Sequence, residues 1–211
     1  MTVDTPPPAN PERPQHTVLS GGRRKAALGF IFATALMDVL SIGIIIPVLP
    51  HLIESFVNGD AASAAHWVGI FGTVWALMQF IFSPIMGSLS DRFGRRSVLL
   101  ISSFGLAADY VVMAVAPTVA WLLLGRILSG ITASSFSTAG AYIADVTPPE
   151  KRAQGYGLIG AAFGVGFVVG PALGGVLGCI YLLLPFWLAA ALAVCNWLYG
   201  FFIMPEALPK E

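Results

Sequence analysis

The sequence predicts an all-α membrane protein of six transmembrane helices joined by short links. Three observations carry that expectation. Of 211 residues, 56% are hydrophobic and only 10% charged, with a mean hydropathy of +0.81, whereas soluble domains carry about 25% charged residues. Six apolar runs are each long enough to cross a ~30 Å hydrocarbon layer. The basic residues between them fall in alternate links. Only helices and closed barrels satisfy their own backbone in lipid, and these runs are too long and lack the alternation of barrel strands.

Residues 1–25 hold Pro6, Pro7 and Pro8 among Thr, Ser and Gln. They cannot bury a core and are expected to form a disordered cytoplasmic tail. The bundle is expected over 26–204, with runs at 26–47, 66–87, 97–115, 118–142, 154–178 and 183–204. The first run is too long for a signal-peptide core. The links after the first, third and fifth runs hold His51, Glu54 and Asp60 but no Lys or Arg. The tail, the links after the second and fourth runs, and the C-terminus hold every basic residue except Arg126. That asymmetry puts both termini in the cytoplasm. His51 and His66 fall near outer helix ends, without metal-ligand spacing. Cys179 and Cys195 are expected to pack as small apolar side chains, with no disulfide framework.

The second link reads Gly87-Ser-Leu-Ser-Asp91-Arg92-Phe-Gly94-Arg95-Arg96. It gathers one carboxylate, three guanidiniums and two glycines, and the glycines are expected to permit a tight reversal between helices. Three ionisable groups lie inside the runs, where charge is costly and marks function by default. Asp38 and Asp109 each lie about 12 residues in from the basic end, roughly 18 Å deep. Arg126 lies about 8 residues in from the opposite end, roughly 12 Å. In a ~30 Å core those depths coincide. Either a charged, water-accessible cavity with a titratable Asp, or a buried ion pair that fixes helix register, follows. Gln79 adds either a cavity contact or an interhelical hydrogen bond. The fifth run carries Gly157, Gly166, Gly170, Pro171, Gly174 and Gly175. Glycines at four-residue spacing let another backbone approach, and Pro171 is expected to kink the helix.

The second link resembles the signature loop of the major facilitator superfamily. The Gly-Pro run resembles the antiporter signature of that superfamily's drug exporters. The stretch from Asp38 to Pro50 is similar to the first helix of the twelve-span drug:proton antiporters, and 124–130 to their fourth-helix motif. Residues 77–79, 90–96, 109–110 and 125–132 resemble the tetracycline efflux antiporters. Residues 204–209 look like the start of the family's central cytoplasmic loop, so 205–211 is assigned to it. The resemblance implies the N-terminal half of the superfamily fold. It implies proton-coupled efflux of a tetracycline-like drug by alternating access, across a cell inner (plasma) membrane. By it, Asp38, Gln79, Asp109 and Arg126 handle proton and substrate. Gly87, Asp91, Arg92, Gly94, Arg95 and Arg96 form a gating loop, and Gly157, Gly166, Gly170, Pro171, Gly174 and Gly175 an antiporter motif. The implied partners are a small-molecule drug, protons, the lipid bilayer and a second six-helix half. That half is either missing because this is a fragment (the favoured expectation, since the chain stops where the central loop begins), a separate chain, or a second copy. The gating-loop polar groups are expected to find partners only in that second half.

Three other readings compete: a superfamily carrier of another solute, a non-transporting fragment or scaffold, and an intramembrane aspartyl protease using Asp38 and Asp109. Against the protease, Asp109 lacks a glycine-flanked setting and Arg126 favours the ionised acids. No phosphate loop, metal cluster or nucleophile triad is present, so neither an enzyme nor a cofactor is expected, and no metal site. The dispersed basic residues suit a membrane surface better than nucleic acid.

Overall fold

The structure, a computed structural model, describes residues 21–133 and 135–203. Residues 1–20 of the tail expected over 1–25, and the loop start at 205–211, lie outside the described residues, while 21–25 are corrected from tail to the start of the first helix, whose backbone pairing begins at Gly21. In order come α1 (Gly21–Ile45), α2 (Leu49–Phe56), α3 (Ala61–Phe93), α4 (Arg95–Val115), α5 (Val119–Thr132) and α6 (Ser135–Val146), then a 3₁₀ turn (Pro149–Lys151), α7 (Arg152–Ile180) and α8 (Leu184–Ile203). No strand occurs among the described residues. Five spans stand alone, with α5 and α6 read as one; the sixth is α1 joined to α2 across a 41° bend.

The helices outrun the apolar runs, because backbone pairing continues wherever no residue forbids it. The first run ends at Pro47, yet helix resumes at Leu49 and buries Leu52 and Ile53. Pro47 cannot donate a backbone hydrogen bond, while Pro50 sits in the first turn of α2, where no donor is needed. At the other end, α3 continues through the hydrophilic link to Phe93. At 33 residues it is about 50 Å long. The expected loop is therefore corrected: only Gly94 is non-helical, with φ +98° and ψ 146°. That backbone region is open essentially to glycine alone. Gly87 lies within α3, with open space where a side chain would stand. Pro171 does not interrupt α7.

Asp60 caps α3: its Oδ1 accepts from the Ala62 N–H at 3.1 Å, and Ser63 Oγ donates to its Oδ2 at 2.5 Å. The Ser63 hydroxyl, and then the Ala62 N–H, hold this carboxyl below its ordinary value of 3.8. The cap therefore stabilises the folded state above the unfolded value and is lost as pH falls through the lower, folded one. Protection of the amides in the first turn of α3, relative to their intrinsic exchange rate, is expected to fall below about pH 4. Asp60→Ala is expected to show the low protection already at neutral pH, with no further loss on acidification.

Packing follows side-chain size. α7 lies along α1, α8 along α1 and α4, and α5 along α3 and α4. Buried residues form two apolar clusters. The larger includes Ile44, Ile53, Phe71, Tyr110, Met113, Leu122 and Phe186. The smaller holds Ile31, Leu99, Ala139, Tyr142 and Ile143 near the basic end. Between them in the chain order of α1 and α4 fall buried polar residues, Asp38, Ser41, Ser102 and Ser103, and Asp109 lies within the larger cluster next to Tyr110. Large apolar side chains cover much of the outside, among them Phe80 (80% exposed), Val168 (73%) and Phe202 (77%). That is the surface of a chain that meets lipid or other apolar helices.

Candidate functional site: a polar layer in the bundle core

Asp38, on α1, and Asp109, on α4, are both buried, at 2% and 1% exposure. Neither faces outward. α5 brings Arg126 to Asp109, and the two side chains form an ion pair through Nη2 and Oδ2. Asp109 Oδ1 and Arg126 Nε are buried without hydrogen-bond partners. Gly125, next to Arg126, lets the helices close: a Cβ there would stand 2.5 Å from Asp109 Oδ1.

Asp38 is held separately. Asn196 of α8 donates through Nδ2 to Asp38 Oδ1 at 2.8 Å, and to the Thr34 carbonyl at 3.4 Å. Tyr110, fully buried, lies within electrostatic reach of Arg126, Asp109 and Asp38 together. The expected three-charge layer thus resolves into a salt-bridged acid and an amide-bound acid around one ring.

Gln79 fills both roles open to it. Its Nε2 donates to the Ala133 carbonyl at 3.2 Å, a group at the break that ends α5. It also lines a cavity of about 40 Å³ with Asp38, Ser102 and Ser129, walled by Trp75 and Phe136. Toward α2 the same core opens into two clefts of about 210 Å³ each. Both are lined by Ile46, Leu49, Trp75 and Arg126. Such walls are apolar and aromatic with one fixed charge, as small-molecule sites are.

The residues of the hydrophilic link between α3 and α4 separate. Arg95 bridges two carboxylates: Asp91 Oδ1 at 2.5 Å and Asp145 Oδ2, on α6, at 3.0 Å. It also donates to Ser90 Oγ at 3.2 Å. Arg96 donates to the Phe201 carbonyl near the end of α8 at 2.5 Å, where a cation complements the helix dipole. Arg92 lies over the Phe93 ring, 5.3 Å from its centre. The expectation that these groups find partners only outside this half is corrected. α3, α6 and α8 supply them, because Gly94 folds α4 back beside α3.

The glycine motif also separates by face. Gly166, Gly170 and Gly174 lie against the α1 backbone: a Cβ on Gly170 would stand 2.7 Å from Gly43 Cα, and one on Gly174 would overlap the Ile44 carbonyl. Pro171 meets Gly43 as well. Gly157 and Gly175 have open space and point elsewhere. Sequence reasoning gave no role to Asn196, Ser129 or Asp145, although the last two fall in stretches that carry the family resemblance. Attention to ionisable groups inside the runs passes over Asn196 and Ser129, and Asp145 lies just outside a run. An amide or hydroxyl within an apolar run is a usable signal, since such groups bond across helices. No group of His, Cys, Asp and Glu suited to a metal occurs among the described residues.

Known proteins resemble the chain in sequence and in fold. Residues 31–211 match the Major Facilitator Superfamily. The chain is 48% identical over 185 residues to the class C tetracycline resistance protein of Escherichia coli, covering 88% of this chain and 46% of that protein. It is 44% identical over 170 residues to the class E protein of Escherichia coli, covering 81% and 42%. The crystal structure of the human organic anion transporter MFSD10 (TETRAN) superposes with a TM-score of 0.77 at 30% identity, over 88% of this chain and 49% of that one. The chain spans about half the length of the curated relatives it matches.

Proposed function

This chain belongs to the Major Facilitator Superfamily, a family of transporters and not of enzymes, and from that premise we propose that it is one six-helix half of a proton-coupled exporter of tetracycline-like drugs. The observation that carries the reading is the Asp109–Arg126 pair, buried beside Asp38 and opening onto two aromatic-walled clefts. An ion pair in a low-dielectric layer persists while both members stay charged, and protonation of the acid releases the base. Proton binding to Asp109 then frees Arg126 toward the clefts, where drug binding would compete for the same guanidinium. Asp38, held by Asn196, is the second acid of the cycle.

The bundle rocks against a second six-helix bundle, as in superfamily members built from two such halves. Arg95, tied to Asp91 and Asp145, latches the basic ends of α3, α4 and α6 in one state. By the distribution of Lys and Arg, that end is cytoplasmic in an inner membrane. The face of α7 that carries Gly157 and Gly175 is then available to the opposing half.

The test is drug movement in liposomes driven by a pH gradient, with this sequence in its full-length transporter. Uphill tetracycline movement is expected, abolished by a protonophore and by Asp109→Asn. No gradient-driven movement of tetracycline would overturn the reading. Movement of organic anions in its place would favour a carrier of another solute, consistent with Arg126 lining both clefts and with the MFSD10 likeness.

A further inference from the structure

Ser129 of α5 is 2% exposed, and its Oγ is buried without a well-formed hydrogen bond. That is unusual for a helical serine. Hydroxyls inside helices normally bond the carbonyl one turn back, as Ser41 does to Met37, Thr73 to Gly69 and Thr132 to Leu128. Ser129 instead lies against the Asp109 carboxyl, and it also lines the 40 Å³ cavity shared with Asp38, Gln79 and Ser102. One residue therefore touches both acids' surroundings. A water needs roughly 10–15 Å³ of such space and two to four polar partners. This cavity offers the room and the polar groups, and it holds a buried hydroxyl whose bond is otherwise unmade.

We propose that the cavity binds an ordered water which, with Ser129 Oγ, connects Asp38 to Asp109 as a path for a proton. In the transfer the Asp38 acid gives its proton to the water, and the water passes one to Ser129 Oγ. The Ser129 hydroxyl hydrogen then passes to the Asp109 carboxylate. Asp38 ends ionised, Asp109 ends neutral, and water and serine are unchanged. The charged and titratable groups around this path are Asp38 on α1, Asp109 and Tyr110 on α4, and Arg126 on α5. α8 contributes the neutral Asn196 and α3 the neutral Gln79. α7 meets α1 there through Gly166 and Gly170. The use of the path rests on the proton-coupled reading; the presence of the water does not.

Infrared difference spectra of this chain in lipid nanodiscs, taken on acidification in ordinary and ¹⁸O water, test the site. An isotope-sensitive band of a confined water is expected. It should persist in Ser129→Thr, which keeps the hydroxyl, and shift or vanish in Ser129→Ala and in Ser129→Val, the second having the shape of threonine without its hydroxyl, so that both remove a partner. Helix content by circular dichroism confirms that each variant is folded. No isotope-sensitive band, or a band unmoved in Ser129→Ala and Ser129→Val, overturns the proposal. In the full-length transporter, Ser129→Val should slow gradient-driven export roughly a hundredfold, as loss of a positioned proton-transfer group does. Unchanged export with the band absent overturns the path. If the unaltered transporter moves no tetracycline, the efflux reading fails and the water band alone decides this inference.

Discussion

Gly174→Val is expected to abolish the folded bundle. A Cβ at Gly174 would overlap the Ile44 carbonyl, so the added atoms meet main chain and not a side chain that can turn away. Overfilling a core site costs roughly 1–3 kcal/mol when side chains absorb the strain. Here α1 and α7 must separate, and with them the close approaches at Gly166 and Gly170. Helices in lipid gain no hydrophobic driving force from one another, so nothing replaces the van der Waals attraction of two close backbones once they part. The measurement is recovery of monodisperse protein and its thermal midpoint in detergent. Gly157→Ala, on the open face of the same helix, is the control. It is expected to be neutral or to gain up to about 1 kcal/mol from helix propensity. Equal behaviour of the two variants would mean that the α1–α7 interface does not hold the bundle.

The second large effect lies at the ion pair. Asp109→Ala is expected to cost up to about 3–5 kcal/mol, because it leaves a guanidinium that is only 16% exposed without its counter-charge. Replacing both partners with apolar residues of similar size, Asp109→Leu with Arg126→Met, is expected to restore most of that stability. In the full-length exporter proposed above, the same double variant should still give no gradient-driven drug movement. Denaturant or thermal midpoints of the two single variants and the double one make a cycle whose coupling term reports the pair. A midpoint for Asp109→Ala equal to that of the unaltered chain would show that the pair contributes nothing to the fold. Restored stability together with restored export would remove these residues from the mechanism.

Much of the site is legible in the sequence because membrane burial makes charge conspicuous. Asp38, Asp109 and Arg126 stand out in apolar runs, and their depths follow from helical rise alone. Their pairing does not follow, because depth leaves rotation about the helix axis open. Asp109 could have met Asp38, Arg126 or neither. Asn196 escapes notice because an amide costs less to bury than a charge and so marks an apolar run less sharply. The gating stretch reads as a loop because hydrophilic residues suggest the end of a span. Hydrogen-bonded backbone continues past the hydrocarbon layer, and only the φ of Gly94 stops it.

Residue chemistry read along the chain is enough to specify an all-helical membrane bundle of six spans and the short list of intramembrane charges. It also specifies the glycine-rich fifth span. Each of these rests on the free energy of placing a group in lipid, which depends on that residue and its neighbours along the chain. Helix packing selects which acid Arg126 holds, places Asn196 on the other, and sets which glycines of α7 meet α1. It also ties Arg95 to two acids within this half. Those outcomes depend on how helices turn and pack against partners distant in the chain, and the short-range geometry between them is fixed only when the helices assemble.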